Sequence, residues 1–383
     1  MSESESPSAT LLIAGGGTGG HVFPAIAVAR EWLRRAETAP GKFPKREVVI
    51  VGTEKGLETK LVPEAGLPLE TIRVAGLKGM RGIKFVRNAA LLGAGFWDSA
   101  GILRRHRFAA AFGVGGYASG PMMFLAALSG VPTVLFEPNL EPGFTNRSLA
   151  RLATRIATGF EETAQRFGAK AKVTGNPVRS EFFGAPHRDH HPPFTLLVTG
   201  GSRGAQPINR AMIGALELLA VEKKQLFVVH QTGERDYNAV RDAYARFNFN
   251  AEVSPFIGNM ADRFAQADLI VCRSGAITVA EIAAAGRAAI FIPFGAATDS
   301  HQLRNAQALE HAGAARVIPQ DELTPQRLSS EIFSLLNLPA GADQPSATGT
   351  PAGIQEMEQR ARALARPRAV MDIVDMIEEV ARV

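Results

Sequence analysis

The chain has 383 residues, of which 46% are hydrophobic and 21% are charged, and its formal net charge is +5. This length suits two domains of ordinary size, and the composition is that of a soluble globular protein rather than a fibrous or disordered one. The charge excess is too mild to indicate a nucleic-acid-binding protein. The single cysteine, Cys272, excludes a disulfide within the chain, and its apolar neighbours predict a buried strand thiol in a reducing compartment.

In chain order, residues 1–9 are rich in Ser, Glu and Pro and predict a disordered tail, not a signal peptide. Short apolar runs then alternate with helical periodicity. The predicted strands are Thr10–Ala14, Glu47–Gly52, Ala109–Val114, Thr133–Phe136, Arg155–Thr158, Thr195–Thr199, Gln225–His230, Leu269–Cys272 and Ala288–Ile292. This rhythm predicts an α/β protein whose parallel sheets bind ligands at the carboxyl ends of their strands.

The predicted helices include Pro24–Arg35, with Pro24 in its first turn, and Thr278–Ala285, closed by Gly286. The segment from Phe108 to Phe136 has no charge and is long enough to span a bilayer. Its glycines and prolines favour a different interpretation, in which a strand, a glycine-rich loop, a helix near Met122–Leu128 and a second strand follow one another.

The domain boundary is predicted near Pro177, which gives an N-terminal domain over residues 10–177 and a C-terminal domain over residues 178–368. A helix over residues 369–383 is expected to pack back on the N-terminal domain. The polar stretch after the boundary carries His187, His190 and His191, for which a solvated linker is preferred to a metal site. Residues 338–353 predict a flexible surface loop.

Two glycine-rich turns follow apolar strands about 180 residues apart, which indicates that one anion-binding unit occurs twice. The first runs from Gly15 to His21, and the second from Gly200 to Ala205. The first also fits the dinucleotide pattern G-x-G-x-x-G, but the acidic residue expected about 20 positions later is missing, which disfavours a nicotinamide or flavin enzyme. His21 is either a general base or a cap on local backbone.

Other polar residues follow buried strands, where ligand-binding residues are common. After the third predicted strand comes a loop with Gly115, Gly116 and Tyr117. The next strand leads to Glu137, Asn139 and Asn146, for which turn formation is the alternative to a site. In the second half, a helix that opens near Ala276 suits a diphosphate, and Glu281 within it suits ribose hydroxyls.

Six of these motifs, taken in order, resemble the MurG family of bacterial N-acetylglucosaminyltransferases. They are GGGTGGH, GVGGYASGP, NPVR, GGSRGA, CRSGAITVAE and HQ, spread from Leu11 to beyond Gly313. The resemblance implies the GT-B architecture, in which two Rossmann-like domains with parallel sheets face each other across a cleft. It also implies transfer of N-acetylglucosamine from UDP-N-acetylglucosamine to lipid I, giving lipid II in peptidoglycan synthesis, with inversion and with no metal or other cofactor.

The resemblance also implies site residues. Either His21 or Glu137 is the catalytic base, and Gly115, Gly116, Tyr117 and Asn146 lie on the acceptor side. The residues implied to bind UDP-N-acetylglucosamine are Thr18, Gly19, Gly20, Asn139, Arg179, Ser202, Ile257, Ala276, Ile277, Thr278, Val279, Ala280, Glu281 and Gln302. The chain departs from the family at Phe136 and Pro138, where His and Gln are common, and at Arg203, where Gln is common.

The acceptor implied by the resemblance is a lipid, which places the enzyme on the cytoplasmic face of the inner membrane, near the machinery of cell shape and division. Residues 73–107 contain eight Lys or Arg residues, one acidic residue and many large apolar side chains. Such a surface binds anionic phospholipid without spanning the bilayer. For residues 73–107 the alternative is an ordinary helix with a solvated basic face. For the function, the alternatives are another GT-B glycosyltransferase and a Rossmann protein that is not a glycosyltransferase.

Overall fold

The computed structural model describes residues 8–38, 41–75, 83–186, 189–201, 204–295, 301–339 and 352–382. Contacts between residues divide the chain into two compact units, which are described separately. The N-terminal unit contains residues 1–177 and 368–383, and the C-terminal unit contains residues 178–367.

The described part of the N-terminal unit contains a seven-stranded parallel sheet, with the strand order β3-β2-β1-β4-β5-β6-β7. Its strands are β1 (Ser8–Gly15), β2 (Lys45–Thr53), β3 (Leu69–Ile72), β4 (Phe108–Gly115), β5 (Thr133–Glu137), β6 (Arg155–Thr158) and β7 (Ala171–Val173). The strand order reverses between β1 and β4, where Ile13 pairs with Phe112. In open α/β sheets a crevice for ligands forms at this reversal.

Helices cover both faces of this sheet. They are α1 (Gly19–Thr38), α2 (Glu58–Glu64), α3 (Ile83–Arg105), α4 (Ser119–Leu128), α5 (Phe144–Leu149), α6 (Glu161–Phe167) and α14 (Ala369–Val380). One core joins α1 and α14 to the sheet, and the core on the opposite face includes residues of α3 and α4. Pro24 lies inside α1, so the prediction that it lies in the first turn is wrong, because residues 19–22 form that turn.

Helix α14 completes the first of these cores. Ile373 and Ile377 are fully buried in it. At the helix surface, Glu378 accepts from the guanidinium of Arg46 at 2.5 Å, and Arg46 lies 4.5 Å from the ring centroid of Trp32. The last described helix is therefore part of the N-terminal unit, although the whole C-terminal unit precedes it in the chain.

The described part of the C-terminal unit contains a six-stranded parallel sheet, with the strand order β10-β9-β8-β11-β12-β13. Its strands are β8 (Phe194–Thr199), β9 (Leu226–Gln231), β10 (Ala251–Ser254), β11 (Leu269–Cys272), β12 (Ala289–Phe291) and β13 (Arg316–Val317). Its helices are α7 (Gln206–Leu219), α8 (Tyr237–Arg246), α9 (Met260–Gln266), α10 (Ala276–Ala285), α11 (His301–His311), α12 (Pro325–Leu336) and α13 (Ala352–Ala363).

A buried ionic cluster, which we call the His190 cluster, consists of His190, Asp268, Arg287 and Glu358. Asp268 accepts from one ring nitrogen of His190 at 2.8 Å, and Glu358 accepts from the other at 3.2 Å. The side chain of His190 is only 2% exposed, so its assignment to a solvated linker is wrong. His187, from the same stretch, lies outside the described residues.

Ser8 and Ala9, predicted to end a disordered tail, lie in β1, where Ala9 is 2% exposed because it packs in the core. Residues 1–7 of that tail lie outside the described residues.

Two further expectations change. Leu338, predicted to begin a flexible surface loop, is 3% exposed and packs in the core of the C-terminal unit. Ala352 and Gly353, predicted to end that loop, lie in α13. Residues 340–351 of the loop lie outside the described residues. The uncharged segment from Phe108 to Phe136 forms β4, α4 and β5, as predicted, and no described helix has the length and hydropathy needed to cross a bilayer.

Candidate active site

The glycine-rich loop after β1 lies against the loop after β4. A methyl group on Gly116 would lie 2.5 Å from the carbonyl oxygen of Gly16, and Gly116 has a φ of +83°. Both constraints exclude a larger residue there without strain. The two loops therefore form one compact surface at the carboxyl edge of the sheet, where the strand order reverses.

His21 lies in the first turn of α1, beside this surface. Its Nδ1 is 3.1 Å from the carbonyl oxygen of Gly16 and 3.4 Å from Oγ1 of Thr18. Since a carbonyl only accepts, Nδ1 carries the hydrogen, and Nε2 of the neutral ring keeps its lone pair. A methyl group on Gly115 would lie 3.1 Å from Nε2. The chain at the end of β4 therefore lies close to Nε2, and at Gly115 it places no side chain there.

Burial lowers the pKa of His21, and the negative charges of Glu137 and Glu58 partly oppose this shift. The imidazole is therefore neutral at neutral pH and ready to accept a proton on Nε2. A histidine in this state meets the requirement for a general base.

Glu137, the other predicted base, is buried at the end of β5 with both carboxylate oxygens occupied. One oxygen accepts from the backbone N–H and the side-chain amide of Asn139, each at 3.0 Å. The other accepts from the N–H of Gly143 at 2.9 Å and the amide of Asn146 at 2.8 Å. This carboxylate therefore organises the loop of residues 138–146 and leaves little lone-pair capacity for a substrate proton.

Other predicted acceptor-side residues lie near the carboxyl ends of β4 and β5. Tyr117 follows Gly116 in the second loop, and its side chain is 60% exposed. Asn146 lies in α5 and also donates to the carbonyl oxygen of Phe136 at 2.9 Å. In the first loop, Thr18 is exposed, whereas Gly19 and Gly20 begin α1.

Glu58 is a site residue that the sequence analysis missed. It is the first residue of α2 and is fully buried beneath the first glycine-rich loop. It accepts from the N–H of Gly17 at 2.7 Å and from both the N–H and the hydroxyl of Thr53 at 2.8 Å. These hydrogen bonds lower the pKa of Glu58 although burial opposes them, so the carboxylate is ionised at neutral pH.

In the C-terminal unit, Gln231 at the end of β9 joins three loops and was also missed. Its amide donates to Oγ1 of Thr199 at 3.2 Å and to the carbonyl oxygen of Gly201 at 2.9 Å, and its carbonyl accepts from the N–H of Ile257 at 2.8 Å. Gln231 therefore holds the buried residue Ile257 next to the glycine-rich loop after β8. Ser202 of that loop lies outside the described residues.

Helix α10 begins at Ala276, two residues before its predicted start, after Gly275 in an extended conformation and with no side-chain cap. The N–H of Val279 is bonded to the carbonyl oxygen of Gly275 at 2.9 Å. The N–H groups of a first helical turn point outward and favour an anion. Ile277, Thr278 and Ala280 of this helix are partly exposed, whereas Ala276 and Val279 are buried.

Glu281, one turn into α10, lies 3.6 Å from the guanidinium of Arg179, whose side chain is 43% exposed. Burial raises the pKa of Glu281 to about 7, and Arg179 partly opposes the shift. Gln302 in α11 lies near the loop before α10, because Ser274 donates to its carbonyl oxygen at 2.8 Å. Its side-chain oxygen accepts from the N–H of Phe294 at 3.0 Å.

Comparison with known protein families matches both halves of the chain. The model of the glycosyltransferase family 28 N-terminal domain matches residues 11–158, and that of the C-terminal domain matches residues 195–359. A UDP-N-acetylglucosamine--N-acetylmuramyl-(pentapeptide) pyrophosphoryl-undecaprenol N-acetylglucosamine transferase of Myxococcus xanthus is 42% identical over 369 residues, which cover 96% of this chain and 91% of that protein. The chain belongs to the MurG family.

Other relatives agree with this membership. The transferase of the same name from Geotalea daltonii is 44% identical over 334 residues, covering 86% of this chain and 89% of that protein. The crystal structure of Acinetobacter baumannii MurG superposes with a TM-score of 0.76 at 30% identity, over 97% of this chain and all of that one. The predicted family and the predicted α/β fold class with two parallel sheets are confirmed. The individual site residues stay predictions.

Proposed function

We propose that this enzyme transfers N-acetylglucosamine from UDP-N-acetylglucosamine to the 4-hydroxyl of the muramoyl sugar of lipid I, which gives lipid II and UDP. The observation that carries the proposal is the close match to MurG transferases over 96% of the chain. Each unit supports it separately, because the N-terminal unit offers a neutral histidine base and the C-terminal unit offers a helix start that favours an anion.

His21 is the base in this reaction. As the 4-hydroxyl oxygen attacks the anomeric carbon of the donor, its proton passes to Nε2 and the bond from that carbon to UDP breaks. Attack opposite the leaving group inverts the anomeric centre. The hydrogen bond from Nδ1 to Gly16 fixes the tautomer in which Nε2 is basic. Glu137, with four donors on its carboxylate, is a positioning residue for Asn139 and Asn146.

The C-terminal unit binds the donor. The first turn of α10 receives the diphosphate, and its N–H groups stabilise the negative charge that grows on UDP as the bond breaks. Glu281 accepts from the ribose hydroxyls, and Ile257 and Arg179 lie against the uracil. Gln302 contacts the amino sugar. The donor contacts of Thr18, Gly19, Gly20, Asn139 and Ser202 stay predictions.

The enzyme acts as a peripheral protein on the cytoplasmic face of the inner membrane. Trp97 of α3 is 72% exposed and Leu128 of α4 is 62% exposed, and these two helices contact each other through Phe96 and Phe124, whose ring centroids are 5.8 Å apart. Arg87 of α3 is also exposed, and a combination of exposed apolar and basic side chains suits a surface of anionic phospholipid. Lys78 and Arg81, also predicted to contribute, lie outside the described residues.

Vesicle sedimentation tests this surface. Trp97→Asp and Arg87→Glu should each reduce binding to vesicles that contain anionic phospholipid. Val221→Asp is the matched control, because Val221 is 62% exposed in the C-terminal unit. Equal binding by all three variants would contradict the membrane assignment. It would not bear on the proposed transferase activity. A partner among cell-wall or division proteins stays a prediction.

The reaction itself is tested by UDP release with and without a soluble lipid I analogue, with UDP-N-acetylgalactosamine as a parallel donor. We expect release that depends on the acceptor and is confined to the glucosamine donor. His21→Ala should lower kcat by about 100-fold to 10,000-fold, the usual contribution of a general base. Near-normal turnover in His21→Ala would refute the role of His21, and release with either donor would favour another sugar-nucleotide transferase.

A further inference from the structure

The peptide group between Gly16 and Gly17 is hydrogen-bonded at both ends. Its carbonyl oxygen accepts from Nδ1 of His21 at 3.1 Å, and its N–H donates to the carboxylate of Glu58 at 2.7 Å. Glu58 and His21 therefore lie on opposite sides of a single peptide group.

We propose that Glu58 is a positioning residue for the transfer reaction, which orients and polarises the imidazole of His21 through the Gly16–Gly17 peptide. The carboxylate draws the N–H of Gly17 toward itself, which increases the negative charge on the carbonyl oxygen of Gly16. Hydrogen bonds that share a peptide strengthen one another in this way. The carbonyl then binds Nδ1–H more firmly, which holds the tautomer with a basic Nε2 and stabilises the imidazolium once the proton has arrived.

The surroundings of Glu58 are shaped for a carboxylate. Side chains at Gly16, Gly52 or Gly56 would overlap its atoms. Among the described residues the carboxylate has no cationic partner within salt-bridge distance, and it accepts from backbone N–H groups and the hydroxyl of Thr53. Both carboxylate oxygens accept, one from Gly17 and the other from Thr53, so a neutral amide with a single acceptor oxygen could not make the same hydrogen bonds. An ionised carboxylate has a further effect, because its field reaches the imidazole.

Two carboxylates act on His21, namely Glu137 at the end of β5 and Glu58 in α2. Thr18 adds a hydroxyl, and Gly115 of β4 presents no side chain. Of the two carboxylates, Glu58 is the one joined to the imidazole through a shared peptide group. Its replacement by a neutral side chain therefore changes the hydrogen bond that selects the tautomer as well as the charge near the ring.

The decisive experiment is a double-mutant cycle between Glu58→Gln and His21→Ala, measured by UDP release with the soluble lipid I analogue. In the unmodified background, Glu58→Gln should lower kcat by about 10-fold to 100-fold, the range found for lost hydrogen-bond partners of metal-binding histidines. The KM for UDP-N-acetylglucosamine should not change. In the His21→Ala background the same substitution should have no further effect. Glu54→Gln, an exposed substitution in the turn before α2, is the matched control.

The pH profile adds a second measurement. Loss of the negative charge lowers the pKa of His21, so the acidic limb of kcat/KM should move to lower pH in Glu58→Gln. An equal fold-loss in both backgrounds, together with an unmoved acidic limb, would show a merely structural role and overturn the proposal. This inference rests on His21 being the base, and near-normal turnover of His21→Ala alone would reveal the failure of that assignment instead.

A measurement on the unmodified enzyme covers the case in which Glu58→Gln does not fold. With ¹⁵N-labelled histidine and backbone amides, the resonances of neutral His21 should show hydrogen on Nδ1. The amide resonance of Gly17 should shift as His21 titrates, because both groups bind the same peptide. If the Gly17 amide does not respond to the titration of His21, the proposal is refuted.

Discussion

The His190 cluster predicts that the stability of the C-terminal unit depends on pH. Both ring nitrogens of His190 face carboxylates, so both carry hydrogen and the ring is an imidazolium. The carboxylates Asp268 and Glu358 raise the pKa of His190 to about 9, from an ordinary value of 6.5, although burial opposes the shift. Glu358 also pairs with the fully buried Arg287 at 3.4 Å, so the cluster balances two positive charges against two negative ones.

The sign of the effect follows from the raised pKa. The folded unit holds a proton on His190 more tightly than the unfolded chain does, so this contribution to stability is complete below about pH 6.5. It falls as the pH rises and is lost above about pH 9. The difference between 9 and 6.5 is 2.5 pH units, which at 1.36 kcal/mol per unit corresponds to about 3 kcal/mol.

The assay must report on the C-terminal unit itself. Both tryptophans, Trp32 and Trp97, lie in the N-terminal unit, so tryptophan fluorescence does not follow the unit of interest. Hydrogen exchange of peptides that cover β8 and β11, measured across a urea series, does follow it. We expect the free energy of unfolding to fall by about 3 kcal/mol between about pH 6.5 and pH 9.5.

His190→Gln should remove most of this dependence, because Gln does not titrate. The matched control is His191→Gln, since His191 is exposed beside it and should leave the dependence intact. An identical pH dependence in the unmodified protein and in His190→Gln would refute the reasoning, because the titrating group would then lie elsewhere.

Three further outcomes are expected. Gly116→Ala should lower kcat and destabilise the N-terminal unit by about 1–3 kcal/mol, because the new methyl group would overlap the carbonyl oxygen of Gly16 and the positive φ would be strained. Wild-type activity and stability in this variant would contradict the packing of the two loops. The KM for UDP-N-acetylglucosamine should rise below about pH 7, where Glu281 becomes protonated. In initial-rate assays Glu281→Gln should abolish that rise, and a KM that still depends on pH in this variant would exclude Glu281 as the cause. Arg46→Met should destabilise the N-terminal unit by about 1–3 kcal/mol in urea unfolding followed by tryptophan fluorescence, because Glu378 loses the nearer of its two charged partners and keeps only Arg35 at 3.1 Å. An unchanged midpoint would contradict a stabilising ion pair between Arg46 and Glu378.

The central strands of both sheets could be predicted from sequence, whereas the edge strands could not. All nine predicted strands exist, and the four that were missed are the two edges of each sheet. Central strands are buried on both faces and therefore appear as continuous apolar runs. The missed strands, which are short and largely half-exposed and so carry mixed residues, are β3, β7, β10 and β13.

The glycine-rich loops were also predictable, because their glycines and the strands before them are local signals. The partners that support them were not. Glu58 lies 41 residues from the N–H of Gly17, and His190 lies 168 residues from Glu358. Nothing in the neighbouring sequence distinguishes a buried carboxylate at the start of a short helix from a solvated one. The sequence also left open whether His21 or Glu137 is the base, because that choice depends on their hydrogen-bond partners.

The position of α14 has a consequence for the order in which the enzyme is made. Its side chains complete the core formed by β1, β4 and α1, yet the ribosome synthesises it after the entire C-terminal unit. The N-terminal unit emerges first but cannot complete the core that contains Trp32 and Phe43 until translation has passed Val380. The C-terminal unit, whose residues are contiguous from 178 to 367, completes its own set of contacts earlier. The half of the protein that is translated first is therefore the half that finishes folding last.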